Sequence, residues 1–242
     1  MEKYIIQLLF ICCIFHELII VSSALQVGFY AKKCRAAESI VQQEVQRSFS
    51  TDRSITAALL RMYFHDCFVR SRLESACPTI VSCADIIALA TRDSVALAGG
   101  PMYNILTGRR DGLVSNPAEV NLPVQEALKI FTNKGFSLND MVTLLGPHTV
   151  GITHCSLIQD RISRFDGSMD PNLFTRLSTT CAAKNNDPSV FLDQSMSFIV
   201  DNEFYKQIRL KKGILKIDQE LASDRSSAGI VNNLSINPKA FQ

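Results

Sequence analysis

The sequence predicts an all-α fold, and three observations lead to that prediction. Apolar residues recur at helical spacing along most of the chain, and no stretch sustains the two-residue alternation that is typical of half-buried strands. Several of these segments begin after Ser or Asp and end at glycine, as helices commonly do. Hydrophobic residues make up 47% of the 242 residues, so the chain can bury a core.

Helical spacing predicts seven helices. They lie near residues 40–49, 55–64, 83–98, 124–131, 137–148, 173–177 and 204–210. Asp52 and Ser54 are predicted to cap the second helix, and Ser137 opens the fifth with an acidic variant of the capping box. Gly99 and Gly135 stop the third and fourth helices. No internal repeat is present in the chain.

The charge balance argues against a nucleic-acid partner. Twenty-five basic residues stand against 23 acidic ones, which gives a net charge of +2, and no long basic run occurs.

Residues 1–24 indicate a secretory signal. Lys3 is followed by the apolar run IIQLLFICCIF, and a small residue, Ala24, marks the predicted cleavage site. A transmembrane anchor is the alternative, but His16 and Glu17 interrupt the run, and a span needs about 20 apolar residues. We therefore expect a secreted mature chain that starts near Leu25, with no membrane attachment, and in which disulfides can form.

His148 is one candidate for chemistry. Met141, Leu144, Leu145 and His148 follow the spacing i, i+3, i+4, i+7, which predicts that the histidine points inward from the fifth helix. Taken alone, a core histidine with a satisfied hydrogen bond is the simpler interpretation.

Arg61 and His65 form a second candidate. They lie one helical turn apart and share a face with Ala58 and Met62. An arginine beside an uncharged histidine makes a poor salt bridge, because neither residue is negative. The pair suits a site where an anion develops and a proton must move.

Two other kinds of site are weaker alternatives. A zinc site could draw on six candidate ligands, but no C-x2-C pair occurs and secreted cysteines favour disulfides. These candidates are His65, Cys67, Cys77, Cys83, His154 and Cys155. A Ser-His-Asp hydrolase would need a G-x-S-x-G elbow, which is absent.

Longer motifs carry a family resemblance. RMYFHDCFV, ESACPTIVSCADIIALATRDSVALAGGP, GRRDG, NLP, DMVTLLGPHTVGITHC, DNEFY and GILKIDQEL together resemble the secreted plant haem peroxidases, the class III family. The resemblance spans nearly all of residues 25–242 in the family's order. It implies a two-lobed haem peroxidase fold with haem between distal and proximal helices. The distal lobe would cover about residues 25–120 and the proximal lobe about 121–242.

The resemblance assigns roles around haem b. It implies that His148 is the axial ligand of the iron and that Asp218 accepts the other ring N–H, which makes the imidazole more basic. On the opposite face, His65 would take a proton from the peroxide and return it to the departing oxygen. Arg61 would stabilise the negative charge on that oxygen. Pro123 in NLP resembles the family's residue at the substrate entrance.

The resemblance also implies a proximal calcium ion. Thr149, Asp193, Ile199 and Asp201 match the family's ligand pattern, and ligands of oxygen alone suit calcium. Met196 stands where the family has a threonine, so one side-chain oxygen is lost.

The distal calcium site is matched only by Asp66 and Val69. The Gly-Cys-Asp segment that follows FHDCFV in the family is absent, and SRLESACP rejoins the pattern further along. That segment would carry the other calcium ligands, the partner of Cys67 and the asparagine that orients His65. The C-terminus is likewise expected to be truncated before the final helix and the partner of Cys83, so the pairing of these two cysteines stays open.

Two disulfides are implied by the resemblance, Cys34–Cys77 and Cys155–Cys181. Six cysteines remain after the predicted signal, and counting alone leaves many pairings open.

The resemblance implies an extracellular monomer, in the cell wall or the vacuole, that reduces hydrogen peroxide and oxidises phenolic donors one electron at a time. Such an enzyme removes hydrogen peroxide and takes part in the response to oxidative stress. The alternative is a non-catalytic or weakly active haem-binding remnant. Arg61, His65, His148 and Asp218 favour the enzyme, and the absent distal segment favours the remnant. Turnover of a phenolic donor with peroxide distinguishes them.

Overall fold

A computed structural model describes residues 25–56, 69–111, 122–182 and 187–241. The predicted signal and most of the predicted helix at 55–64 lie outside these ranges. In chain order the α-helices are α1 (Ala37–Thr51), α2 (Val69–Ala76), α3 (Cys83–Leu97), α4 (Val124–Asn133), α5 (Leu138–Leu144), α6 (Gln159–Ile162), α7 (Pro171–Thr180), α8 (Glu203–Arg209), α9 (Lys216–Ser223), α10 (Ala228–Ile236) and α11 (Pro238–Phe241). The predicted all-α class is confirmed.

The described residues also contain two 3₁₀ helices, Gly146–Val150 and Cys155–Ile158, and one small sheet. In that sheet, β1 (Ile152–His154) pairs antiparallel with β2 (Ser189–Phe191). No helix in the described ranges is both long and apolar enough to cross a membrane.

Local side-chain caps explain where several helices begin. The Ser82 hydroxyl accepts the Asp85 N–H at 3.2 Å and opens α3. The capping box predicted at the start of α5 is present, with Ser137 and Asp140 each accepting a backbone N–H from the other. The Asp170 side chain caps α7 by accepting the Leu173 N–H, and a proline follows at the first helical position.

One hydrophobic core lies between α1, α2 and α3, with Val41 and Leu89 fully buried. A disulfide between Cys34 and Cys77 joins the segment before α1 to the residue after α2. Burial of these apolar faces is what holds three short helices together, since isolated helices of this length are marginal in water.

Two further cores lie in the second half of the chain. The first packs α4, α5, α8, α9 and α10 around Phe204 and Tyr205. The second gathers around Ile158, Leu173 and Ile214, next to a disulfide that joins Cys155 to Cys181. This bridge and the one in the first half are the two pairs that the resemblance implies.

A loop from the second half of the chain contacts the first half. The Val200 N–H donates to the Ala98 carbonyl at 2.9 Å, and the Arg53 guanidinium lies 6.0 Å from the centre of the Phe198 ring. Gly100 allows this approach, because a Cβ there would lie 3.0 Å from a Val200 methyl group. The same loop supplies oxygen atoms to the candidate site.

Candidate active site

His148 does not lie on α5 as its spacing predicted. The α-helix ends at Leu144, whose side chain is 52% exposed, and the backbone tightens into a 3₁₀ helix in which His148 N–H donates to Leu145 O at 3.1 Å. Pro147 explains the change, since it has no N–H to donate to the Thr143 carbonyl. The prediction of an apolar face running through Leu144 was therefore wrong.

The hydroxyl of Tyr205, from α8, contacts the backbone carbonyls at the end of α5. Its buried hydroxyl donates to Val142 O at 2.9 Å and lies 3.5 Å from Thr143 O. Burial, followed by the negative charge of Asp218, raises the pKa of Tyr205, so the phenol keeps the proton that it donates. A Cβ at Gly146 would lie 2.5 Å from this hydroxyl, which requires glycine there.

The His148 ring is held by a carboxylate from α9. Its Nδ1 lies 2.8 Å from Asp218 Oδ1, across 70 residues of sequence, and Asp218 is 1% exposed. Because an ionised carboxylate only accepts hydrogen bonds, Nδ1 carries the proton. The Phe204 ring stands edge-on to the imidazole with the ring centres 5.7 Å apart. The imidazole is therefore fixed in both tautomer and orientation.

This arrangement fits a ligand to haem iron. A carboxylate that accepts from one ring nitrogen orients the other nitrogen towards a metal and raises its basicity. The second oxygen of Asp218 is buried and has no hydrogen-bond donor among the described residues, so the carboxylate's bond to His148 is its one side-chain hydrogen bond there. The His148 side chain itself is 27% exposed, which leaves it accessible.

Thr149, the next residue, lies at the centre of a four-oxygen cluster. Its hydroxyl oxygen lies 3.2 Å from Asp193 Oδ2, 3.2 Å from Asp201 Oδ1 and 3.5 Å from the carbonyl of Ile199. One hydroxyl proton serves only one of three acceptors at a time. Neither carboxylate forms an ion pair within the described part of the chain. Asp201 Oδ1 also accepts the Glu203 N–H at 2.9 Å, but among the described residues no positive charge balances the two carboxylates.

Asp193 is held with one oxygen turned into this cluster. Its Oδ1 accepts from Ser195 N at 2.7 Å, Met196 N at 3.0 Å and Gln207 Nε2 at 2.7 Å, which leaves Oδ2 facing Thr149. Burial and then the nearby charge of Asp201 raise the pKa of Asp193.

A cation would relieve this imbalance, and a set of hard oxygen atoms suits calcium. Met196 contributes no side-chain oxygen and is 41% exposed. With only two carboxylates present, the described residues contain no group of three or more His, Cys, Asp or Glu that could hold a metal ion.

The other predicted site residues are placed as follows. Pro123 directly precedes α4 in an extended conformation, with φ −59° and ψ 154°. Val69 is the first residue of α2, but nothing of its side chain is described. The remaining distal predictions lie outside the described residues; they are Arg61, His65, Asp66 and Cys67.

Two contributors to the site were not predicted from the sequence. Phe204 and Tyr205 belong to the DNEFY motif, which carried the resemblance but gave no role to either ring. Their adjacency in the motif is the signal that could have found them. One packs against the imidazole, and the other caps the helix before it.

Comparison with known proteins identifies the class. The peroxidase family model matches residues 69–237. Peroxidase 44 of Arabidopsis thaliana is 47% identical over 260 residues, covering 90% of this chain and 83% of that protein. Peroxidase 57 of the same plant is 46% identical with the same coverage, and Peroxidase 5 of Vitis vinifera is 35% identical over 266 residues, covering 88% and 81%. The chain belongs to the peroxidase family. It has the all-α haem peroxidase fold, and its function is that of a haem enzyme that uses hydrogen peroxide.

The alignment with Peroxidase 44 is longer than this chain. It spans 260 positions, more than the 242 residues of this chain, so the relative has positions without a counterpart here. The family match begins at residue 69, directly after the FHDCF motif.

Proposed function

We propose that this peroxidase is secreted, binds haem b through His148 and takes phenolic molecules as its electron donors. The observation that carries the haem assignment is the 2.8 Å hydrogen bond between His148 Nδ1 and buried Asp218. Bound haem supplies the iron at which peroxide is reduced and through which electrons pass from the donor. Asp218 keeps the imidazole oriented and basic during that reaction.

Arg61 and His65 are proposed as the residues that handle the peroxide. His65 would accept the peroxide proton and return it to the departing oxygen, while Arg61 stabilises the negative charge that develops there. The spacing of four residues, which would place both side chains on one face of the predicted helix, supports this assignment. Asp66 and Val69 are proposed as a remnant of the distal calcium site.

Calcium is proposed at the four-oxygen cluster of Thr149, Asp193, Ile199 and Asp201. Two carboxylates around a single hydroxyl, with no ion pair in the described ranges, support a divalent cation there. The cluster's loop also contacts the first half of the chain through Val200. The ion would therefore stabilise the contact between the proposed distal and proximal lobes, which divide near residue 120.

Donor binding is proposed near Pro123, at the start of α4. We propose a monomer that functions outside the cell, in the cell wall or the vacuole. The apolar leader after Lys3 and the two disulfides support passage through an oxidising compartment.

Two variants test the haem assignment. The protein is reconstituted with haem, its absorption spectrum is recorded, and peroxide-dependent oxidation of guaiacol is measured. His148→Ala is expected to lose the haem absorption band. His65→Ala is expected to keep the band and lose turnover. Equal loss of haem in both variants would mean that the two faces are assigned the wrong way round, and a wild-type protein that binds haem without turnover would favour the remnant.

A further inference from the structure

Helix α9 and Asp224, the residue that follows it, present three carboxylates to three different partners. Asp218 accepts from His148 Nδ1, as described above. Glu220 Oε2 accepts the backbone N–H of Val124 at 3.0 Å, across 96 residues of sequence. Asp224 Oδ2 accepts from the side-chain amide of Gln125 at 2.9 Å. One helix of eight residues thus holds the axial histidine and the first turn of α4 together.

The start of α4 needs such an outside partner. The first N–H groups of a helix have no intrahelical acceptor, and the residue before it usually supplies one from its side chain. Here that residue is Pro123, and no side-chain cap is present. Glu220 supplies the missing acceptor from another helix, and its negative charge is favourable at a helix N-terminus.

The first turn of α4 is also fixed on its apolar side. Val124 is 2% exposed and Leu122 packs against the same core. Hydrogen bonds from the Ser226 hydroxyl and then from the Gln125 amide lower the pKa of Asp224 to about 2. Asp224 therefore accepts the Gln125 hydrogen bond as a charged group at neutral pH. Pro123 therefore lies between Leu122, which packs against the core, and Val124, whose side chain is buried and whose N–H donates to a carboxylate.

We infer that Glu220 is a positioning residue for the phenolic donor, because through Val124 it fixes Pro123 relative to His148. The inference rests on the proposed function, in which Pro123 borders the donor entrance. Glu220 touches neither donor nor haem in this scheme. Its removal changes where the entrance lies, and so the binding of the donor, while the environment of His148 stays the same.

The other oxygen of Glu220 provides a matched control. Lys216 Nζ lies 3.8 Å from Glu220 Oε1 in an exposed i, i+4 pair. Exposed pairs of this type contribute little. Lys216→Met removes this partner of the same carboxylate and leaves the bond to Val124 in place.

The test uses the haem-loaded protein with peroxide and two donors, guaiacol and the larger coniferyl alcohol. Glu220→Ala is expected to raise KM for the donors about tenfold, with kcat within about twofold of wild type, since a backbone N–H loses a charged acceptor. Glu220→Gln keeps an acceptor oxygen and should restore most of the affinity. Lys216→Met should match wild type.

A second readout is independent of turnover. Hydrogen exchange of the Val124 amide should be at least about tenfold faster in Glu220→Ala than in wild type, and close to wild type in Glu220→Gln and Lys216→Met. The haem absorption band should be the same in all four proteins.

Unchanged donor KM in Glu220→Ala, with normal turnover in wild type, would overturn this inference and leave the proposed function standing. A parallel loss of kcat and of the haem band would also overturn it, because Glu220 would then support His148 and not the donor entrance. Absence of turnover in wild type would overturn the proposed function itself, and the inference with it.

Discussion

Two consecutive residues of one 3₁₀ turn, His148 and Thr149, have side chains in opposite electrostatic situations. His148 gives one N–H to one carboxylate, that of Asp218, at 2.8 Å. Thr149 has one O–H and faces two carboxylates and a carbonyl, each 3.2–3.5 Å away. The first pairing is complete with residues of the chain. The second places two carboxylates next to one hydroxyl, with no ion pair to either carboxylate in the described ranges.

The difference underlies the two proposals for this turn, haem iron at His148 and calcium at Thr149. A carboxylate that accepts from one ring nitrogen of a histidine orients the other nitrogen towards a metal. A set of hard oxygen atoms suits calcium. Because both residues share one backbone turn, whatever fixes the turn positions both sites.

The largest expected effect is on the histidine side. Asp218→Ala removes the carboxylate that accepts from His148 Nδ1 and should lower peroxide turnover about 100-fold, since partners of metal-ligating histidines commonly matter by about 10–100-fold. Asp218→Asn keeps an acceptor without the charge and should lie in between. Steady-state rates at saturating donor, with haem occupancy measured from absorption, check this. Wild-type turnover in the alanine variant would mean that the pairing does not tune the imidazole.

On the threonine side, calcium removal should destabilise the protein. At calcium concentrations about 100-fold above Kd, the ion stabilises the folded state by about 2.7 kcal/mol, and a chelator should remove this from thermal unfolding. Asp193→Asn should abolish the response to calcium. Its amide oxygen can keep the bonds to Ser195, Met196 and Gln207, while its NH₂ faces the acceptors around Thr149.

The same variant provides a second test, because its effect on stability relative to wild type should change sign when calcium is removed. In chelator, Asp193→Asn should be at least as stable as wild type, since it removes a buried charge next to Asp201. If it is less stable than wild type both with and without calcium, the cluster is a structural network and not a cation site.

A change at Tyr205, which packs next to the 3₁₀ turn, should weaken both proposed sites to a smaller extent. Tyr205→Phe leaves the carbonyl of Val142 without its side-chain donor and should lower the free energy of unfolding by about 1–3 kcal/mol. Haem affinity and calcium response should both weaken. Denaturant unfolding and the two titrations measure this, with Tyr103→Phe, at a half-exposed tyrosine, as the control. An effect confined to one site would show that the turn does not couple them.

The smallest expected change is an increase in calcium affinity. Met196→Thr adds a side-chain oxygen next to the four-oxygen cluster, where the backbone N–H of Met196 already binds Asp193 at 3.0 Å. Calcium affinity should rise roughly tenfold with the added ligand. Met196→Val is the control, because it has the same branched shape without the oxygen. Equal affinities in the two variants would contradict a ligand role for this position.

Local features of the fold were predictable from the sequence. Ser137 and Asp140 form the capping box that their spacing indicated, and glycine follows α3 and α4 where the stops were predicted. The helices at α9 and α10 were not predicted. Helix α10 packs against four neighbouring helices, α5, α8, α9 and α11, so its apolar residues do not form the single stripe of a surface helix.

The candidate site was predictable in part. Sequence motifs pointed to His148 and Asp218 through resemblance, whereas helical spacing placed His148 on a continuous helix that Pro147 does not allow. Spacing also treated Leu144 as a core residue, and it is half exposed. Hydrophobic periodicity assumes a regular helix, and it does not account for a residue such as Pro147, whose missing N–H interrupts the helix.

The sequence alone specifies the capping box of α5, the glycine stops of α3 and α4 and the hard oxygen atoms near residues 193–201. Which of these residues meet depends on the tertiary structure. Asp218 reaches His148 across 70 residues, and Asp193 reaches Thr149 across 44. These contacts depend on how buried rings such as Phe204 and Tyr205 pack between helices. Packing is a property of the assembled core, and local spacing along the chain does not contain it.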